Sequence, residues 1–127
     1  MKLLLDTHAF IWWDSDASRL SQKARDALND PANKVYFSVV SIWEMVIKTG
    51  LGKMSPRIPL RQLATEQQAN GLQLLPVTLP HVLAVESLAP LHKDPFDRLL
   101  VGQAMVEQMH LVSADVRLVG YGASMLW

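Results

Sequence analysis

The 127-residue chain is long enough for one domain with a substantial core, since half of its residues are hydrophobic. Its 12 basic and 12 acidic residues cancel, so nucleic acid could be bound only through a local basic patch. The absence of cysteine excludes disulfides, a thiolate nucleophile and zinc–thiolate sites. An acid at position 6 argues against a signal peptide, and no apolar run approaches the ~20 residues of a membrane span. We therefore expect a single cytoplasmic domain covering residues 1–127.

The first half of the chain alternates strand and helix patterns. Residues 2–5 are apolar and end at Asp6, which is typical of a strand buried on both faces. Ser41 and Glu44 have the spacing of a capping box, which predicts a helix beginning near Ser41. In chain order, the remaining predictions are a short helical segment at 9–13, a turn at 14–18, a helix at 21–28, a strand at 35–39, and the Ser41 helix continuing to about Thr49.

The second half repeats the alternation. It predicts an amphipathic helix at 60–70 ended by Gly71, a strand at 72–77, a helix at 80–88, a strand at 111–113 and an edge strand at 125–127. Between them, Asp94 is placed to cap a helix that has Pro95 in its first position and runs to about Met109. This alternation indicates a three-layer α/β/α sandwich with a central, mostly parallel sheet.

Four acids follow these predicted elements closely. Asp6 and Asp115 lie at the carboxyl ends of strands, and Glu44 and Asp97 lie in the first turns of helices. Because parallel sheets bind ligands at the carboxyl ends of their strands, we expect the four carboxylates to converge there. Clustered carboxylates repel unless a proton or a cation neutralises them, and oxygen ligands suit Mg²⁺ or Mn²⁺. The pattern thus predicts a divalent-cation site.

Each acid also has a purely structural interpretation. Asp6 and Asp94 could cap helices, Glu44 could complete the capping box, and Asp115 could be a turn residue. Asp94 could instead be a fifth acid of the site, although its place before Pro95 favours capping. It is the combination of the acids, rather than any one of them, that favours a metal site.

Four segments resemble those of PIN-domain nucleases, in the same order along the chain: residues 3–13, 41–45, 94–104 and 111–115. Small stand-alone domains of this kind resemble the VapC toxins of toxin–antitoxin pairs. The resemblance implies that Asp6, Glu44, Asp97 and Asp115 bind Mg²⁺ or Mn²⁺ and hydrolyse RNA, with tRNA or ribosomal RNA as the expected substrate. The family more usually has a hydroxyl and a basic residue before its last acid. Here Ser113 supplies the hydroxyl, but Ala114 leaves the basic contact absent.

The resemblance also implies partners and further site residues. The expected partners are a VapB- or Phd-like antitoxin, covering the acids and packing near Trp12, Trp13 and Trp43, and a second copy of the chain. For Trp43 a place in the core is the preferred interpretation. The accessory candidates are Asp94, Ser113, Thr7 and His8. The candidate RNA or antitoxin contacts are Arg98, Lys48, Trp12 and Trp13.

Two other functional classes share the predicted fold: a signalling domain with an acidic cleft that binds Mg²⁺, and a non-catalytic binding domain that has kept the fold and lost the metal. A phosphorylation-controlled signalling domain needs a pair of acids beside the first strand and a late lysine. This chain has only Asp6 there and no lysine in residues 111–122. A non-catalytic binding domain is disfavoured because all four acids are present. His81, His92 and His110 lack ligand spacing, so no role is assigned to them.

Overall fold

The central feature of the protein is a five-stranded parallel sheet, described here from a computed structural model covering residues 1–90 and 92–127. Its strands are β1 (Lys2–Leu5), β2 (Lys34–Ser38), β3 (Gln73–Leu75), β4 (His110–Val112) and β5 (Met125–Leu126). They lie in the order β3-β2-β1-β4-β5, and each described pair is parallel. The predicted edge strand at the end of the chain is therefore present, and β1 is the centre of the sheet.

Helices cover both faces of this sheet. They are α1 (Thr7–Ser15), α2 (Gln22–Asn29), α3 (Val39–Gly50), α4 (Leu60–Ala69), α5 (Leu79–Glu86) and α6 (Pro95–Glu107), with short 3-10 helices at Ala17–Arg19 and Val116–Tyr121. Leu3 and Leu5 belong to one buried cluster with residues of α1 to α4, whereas Leu4 belongs to a second cluster with residues of α6. This alternation along β1 places the sheet between two helical layers and confirms the predicted sandwich. Within the described residues, no helix has the length and apolar character needed to cross a membrane.

The start of α3 differs from the prediction. Ser38, the last residue of β2, is the N-cap, and its Oγ accepts a hydrogen bond from the Val40 N–H at 3.0 Å. The predicted capping box of Ser41 and Glu44 is therefore wrong, because β2 runs directly into the helix. Ser41 lies buried inside α3, with its Oγ 3.0 Å from Thr7 Oγ1. Glu44 consequently lies in the second turn of the helix rather than the first.

Two other helices begin at aspartates of the predicted site region. Asp6 Oδ1 accepts a hydrogen bond from the Ala9 N–H at 2.8 Å, so α1 begins at Thr7, two residues earlier than predicted. Asp94 Oδ1 accepts from the backbone N–H groups of Phe96 and Asp97 at 2.8 and 3.1 Å, which is the capping role favoured by its sequence position. The first of these caps fixes the direction of a carboxylate at the end of β1.

A buried polar chain joins the sheet to α5 and α6. The Ser38 hydroxyl donates to Gln103 Oε1, and Gln103 Nε2 donates to the Pro76 carbonyl at 3.2 Å. His81 is fully buried, with Nδ1 accepting from the Thr78 N–H at 3.1 Å and Nε2 lying 2.8 Å from a carboxylate oxygen of Glu107. The buried polar groups of Ser38, Gln103 and His81 all have partners. These hydrogen bonds hold α5 against α6 in one orientation.

Candidate metal centre

The four predicted acids come from four elements that meet at the carboxyl edge of the sheet. Asp6 follows β1, Asp115 follows β4, Glu44 lies on α3, and Asp97 lies in the first turn of α6. Asp6 and Glu44 are buried, whereas the side chains of Asp97 and Asp115 keep 18% and 21% of their surface exposed. Asp97 and Asp115 are thus the members of the group that solvent reaches most easily.

The acids of the site influence one another's ionisation. The pKa of Asp97 is raised to about 6, mainly by burial and then by the charges of Asp94, Asp6 and Glu44, against the opposing effect of a hydrogen bond from His92. Burial also raises the pKa of Asp6, with the charge of Asp115 acting in the same direction. Among the described residues, no lysine or arginine lies within ion-pair distance of Asp6 or Asp97. Within the described part of the chain, Asp6 and Asp97 are therefore the acids of the site without a lysine or arginine partner.

His92 lies among the acids, although the sequence assigned it no role. Its Nε2 lies 2.9 Å from Asp97 Oδ2 and 3.6 Å from Asp115 Oδ2. Its Nδ1 accepts a long hydrogen bond, 3.4 Å, from the Asp94 N–H, which directs the Nε2 proton towards the two carboxylates. One potential ligand atom from each of His92, Asp97 and Asp115 lies within 4.8 Å of the others, a spacing that could hold a metal ion. Only the tertiary fold brings these three residues together.

Glu44 has a cationic partner on its own helix. Thr7 Oγ1 donates to Glu44 Oε1 at 2.7 Å, and Lys48, one turn later on α3, forms an ion pair with Glu44 Oε2. The hydrogen bond to Glu44 also raises the pKa of Lys48. The side chain of Glu44 is therefore held in place by both neighbours, and Thr7, an accessory candidate, has a defined role in orienting it.

Asp115 is oriented by an arginine that the sequence analysis did not single out. Arg117 Nη2 donates to Asp115 Oδ2 at 2.8 Å and Arg117 Nε donates to Oδ1 at 3.0 Å, which lowers the pKa of Asp115. Ser113, another accessory candidate, is buried, and its Oγ accepts a hydrogen bond from the Asp115 N–H at 3.0 Å. The segment after β4 is thereby held in a fixed turn beside Asp6.

Arg98, a candidate RNA or antitoxin contact, joins the segment before α6 to its surroundings. Its Nη1 donates to the carbonyls of Ala89 and His92 at 2.9 and 3.4 Å, and its guanidinium lies 5.8 Å from the centre of the Tyr121 ring. These contacts tie the segment that carries His92 to α6.

The tryptophans differ in their exposure. Trp12 and Trp13 are partly buried and pack against the larger core cluster. Trp43 is 54% exposed and touches Phe96 edge to face, so the interpretation of Trp43 as a core residue is wrong. Its position on α3 faces away from the sheet because the buried face of that helix is formed by Val40, Ser41, Glu44 and Met45. His8, next to the acids, is exposed.

The donor set fits a hard divalent cation. Among the described residues, the atoms close enough together to hold an ion come from Asp97, Asp115 and His92, and Asp6 lines a cleft with Asp115. Burial raises the pKa of Asp6 and of Asp97, as expected for acids that lack a counter-charge. Oxygen-rich sites with at most one imidazole favour Mg²⁺ or Mn²⁺ over softer metals. These residues would hold such an ion, with Glu44 at the same edge of the sheet.

Comparison with known proteins places this geometry in a family. The sequence-family model of the PIN domain matches residues 3–122, so the chain belongs to the PIN-domain family. The chain is 30% identical over 120 residues to Ribonuclease VapC22 of Mycobacterium tuberculosis, covering 91% of this chain and 88% of that protein. The resemblance predicted from the sequence is therefore confirmed.

Solved structures support the same fold. A chain in the DNA-bound VapBC structure from Salmonella typhimurium matches with a TM-score of 0.68 and 17% identity, covering 98% of this chain and 96% of that chain. A chain in the VapBC-1 structure from nontypeable Haemophilus influenzae matches with a TM-score of 0.67 and 16% identity, with the same coverage. At sequence identities of 16% and 17%, these matches are evidence for the fold alone.

Proposed function

We propose that this protein is a VapC-like toxin, an endoribonuclease that uses Mg²⁺ or Mn²⁺ to hydrolyse RNA and is restrained by a cognate antitoxin. The observation that carries the proposal is the group of uncompensated acids, Asp6 and Asp97 above all, at the carboxyl edge of a PIN-family sheet. The likeness to a protein named as a ribonuclease supports the reaction. The domain would span residues 1–127 and act in the cytoplasm, with tRNA or ribosomal RNA as substrate.

The protein's own contribution to the reaction is the fixed orientation of its acids. A bound divalent cation supplies an activated water and neutralises charge on the scissile phosphate. Asp6 is held by the Ala9 N–H, Glu44 by Thr7 and Lys48, Asp97 by His92, and Asp115 by Arg117 and Ser113. Because each carboxylate is already oriented, little reorganisation is needed when ion and substrate enter. Cleavage would leave a 5′-phosphate and a 3′-hydroxyl.

Cleavage of total RNA by Asp6→Asn protein tests the proposal. Asparagine keeps an Oδ1 that can accept from the Ala9 N–H, so α1 retains its cap while the site loses one negative charge. We expect a loss of activity on the order of 100-fold with Mg²⁺ or Mn²⁺. Asp26→Asn, on the exposed side of α2, is the matched control and should cleave like the wild type. Equal cleavage by the Asp6 variant would refute the roles given to the acids.

We propose that the antitoxin packs on the outer surface of α3 and inserts a basic side chain among the acids. Trp43, Val46 and Leu51 on or next to this helix are 54%, 52% and 64% exposed, and Trp43 adjoins the site through Phe96. Apolar surface of this kind suits an amphipathic partner segment. The protein would in addition form a homodimer.

Purification of the tagged toxin from its native host tests this surface. We expect a small partner protein to copurify with the wild type and to be lost with Val46→Asp, which places a charge on the apolar surface. Val119→Asp is the control, because Val119 is also exposed but lies in the 3-10 helix Val116–Tyr121. Copurification of no partner with the wild type, or equal copurification with both variants, would contradict the proposal.

A further inference from the structure

A cleft of about 260 Å³ opens directly beside two of the acids. It is lined by Asp6, His8, Trp12, Arg19, Ala114 and Asp115. The cleft therefore joins the candidate metal centre to a surface formed by α1 and the 3-10 helix Ala17–Arg19. Arg19 and His8 are its basic lining residues.

Arg19 is held in this cleft without using its hydrogen-bond donors. Its guanidinium carbon lies 4.7 Å from the centre of the Trp12 ring, a cation–π contact that fixes the position of the group. Among the described residues, the Arg19 side chain forms no hydrogen bond or ion pair, although several other arginines do: Arg25, Arg57, Arg98 and Arg117. The cation is thus positioned by an aromatic ring, and its N–H groups remain available.

The same cleft contains an uncharged position directly before Asp115. Ala114 is exposed and lines the cleft with Arg19, so it contributes no charge beside that acid. An RNA phosphate approaching the acids would meet strong repulsion unless a cation stood nearby. In a chain of zero net charge that cation must be local.

We propose that Arg19, stacked on Trp12, binds an RNA phosphate next to the scissile one, on the Asp115 side of the metal centre. The guanidinium supplies the phosphate contact that Ala114 cannot make, from a different element of the fold. Planar N–H donors match phosphate oxygens, and charged hydrogen bonds of this type are the strong ones. The proposal rests on the ribonuclease function proposed above, since the cleft adjoins the same acids.

Binding of a short, mixed-sequence single-stranded RNA, followed by fluorescence anisotropy with Mg²⁺ present, tests the proposal. Asp6→Asn is included in all binding variants so that the RNA stays intact. Arg19→Gln should weaken binding about tenfold at low salt and reduce the slope of log K against log salt by about 0.7, the value for one phosphate contact to a single strand. Arg61→Gln, which removes an exposed arginine on α4, should change neither quantity.

Adding Ala114→Arg to the Arg19→Gln protein is a more stringent test, because it asks whether a guanidinium from another position restores RNA binding. Because Ala114 is exposed, an arginine side chain can extend into the cleft, and we expect it to restore most of the affinity and the salt slope. Unchanged RNA binding by Arg19→Gln, failure of Ala114→Arg to restore a loss, or a loss confined to antitoxin capture would each overturn the proposal.

The two proposals fail in different ways. If wild-type protein cleaves RNA, Asp6→Asn does not, and Arg19→Gln binds RNA normally, only the phosphate contact is wrong. If wild-type protein cleaves no RNA while Arg19→Gln still weakens binding, the ribonuclease function is wrong and the contact stands. Thermal unfolding of each variant confirms that it is folded at the assay temperature.

Discussion

Asp97 is an acid whose ionisation is shifted by its surroundings. Burial and then the nearby charges of Asp94, Asp6 and Glu44 raise its pKa to about 6, and a hydrogen bond from His92 opposes them. The folded protein therefore holds a proton on Asp97 at pH values where the unfolded chain, with a pKa of 3.8, has lost it. The stability that this proton supplies is complete below pH 3.8 and is lost as the pH rises through about 6.

Replacing Asp97 by asparagine should therefore flatten the pH dependence of metal-free stability. With EDTA present, we expect wild-type protein to lose stability between pH 3.8 and about 6, and Asp97→Asn to lose less. Above that range the variant should be more stable by about 1 kcal/mol, since solvent partly screens the carboxylate and reduces the full effect. Urea unfolding at a series of pH values measures this difference. If the free energy of unfolding changes with pH in the same way for both proteins, the pKa of Asp97 is not raised by its surroundings.

At this scale the sequence singled out the four acids and two of the side chains that contact them, Thr7 and Ser113, but missed His92 and Arg117. Asp6 and Asp115 follow apolar strands, and such positions are recognisable because strands leave a clear pattern. His92 reaches Asp97 and Asp115 only through the fold, so no local spacing reveals it. Arg19 is equally hidden, because its place beside the acids depends on packing against Trp12.

Helix ends and helix contacts determine how the elements present the site. The sequence predicted the presence and order of the helices well, because their periodicity is local. It misplaced the start of α3, since Ser38 and Ser41 are both plausible caps and only the direct junction with β2 selects Ser38. The closeness of α5 to α6 was also beyond prediction. It depends on the buried chain through Gln103 and His81 and on the absence of a side chain at Gly102.

Gly102→Ala should loosen this helix pair. A Cβ at position 102 would lie 3.0 Å from the His81 carbonyl oxygen and 3.4 Å from Val85 Cγ2, and a backbone oxygen can yield only by moving α5. We expect a loss of about 1–3 kcal/mol in the free energy of unfolding, outweighing the roughly 1 kcal/mol that alanine adds to helix propensity. Denaturant titration gives this value.

Gly50→Ala provides the matched control. Gly50 is the last residue of α3, and a Cβ there would meet nothing within 4 Å, so no loss is expected. A Gly102→Ala protein as stable as the wild type would mean that α5 and α6 can separate without cost.

On the scale of the whole molecule, the topology is what gathers the site. Residues as far apart in the chain as Asp6 and Asp115 meet because β1 and β4 are neighbouring parallel strands, with Leu5 opposite Val112. The alternation of strands and helices predicted a parallel sheet, since crossover helices impose that arrangement. The strand order β3-β2-β1-β4-β5 was not predictable in this way, because each strand is a short apolar run without a signal for its neighbour.

The most direct test of the central claim is the position of Mn²⁺ in crystals of the protein soaked with that ion, located by its anomalous scattering. A peak within coordination distance of the carboxylates of Asp6, Asp97 and Asp115, absent from Asp6→Asn crystals soaked in the same way, is the predicted result. A manganese ion bound away from these side chains, or no peak among them at a concentration that supports RNA cleavage, would contradict it.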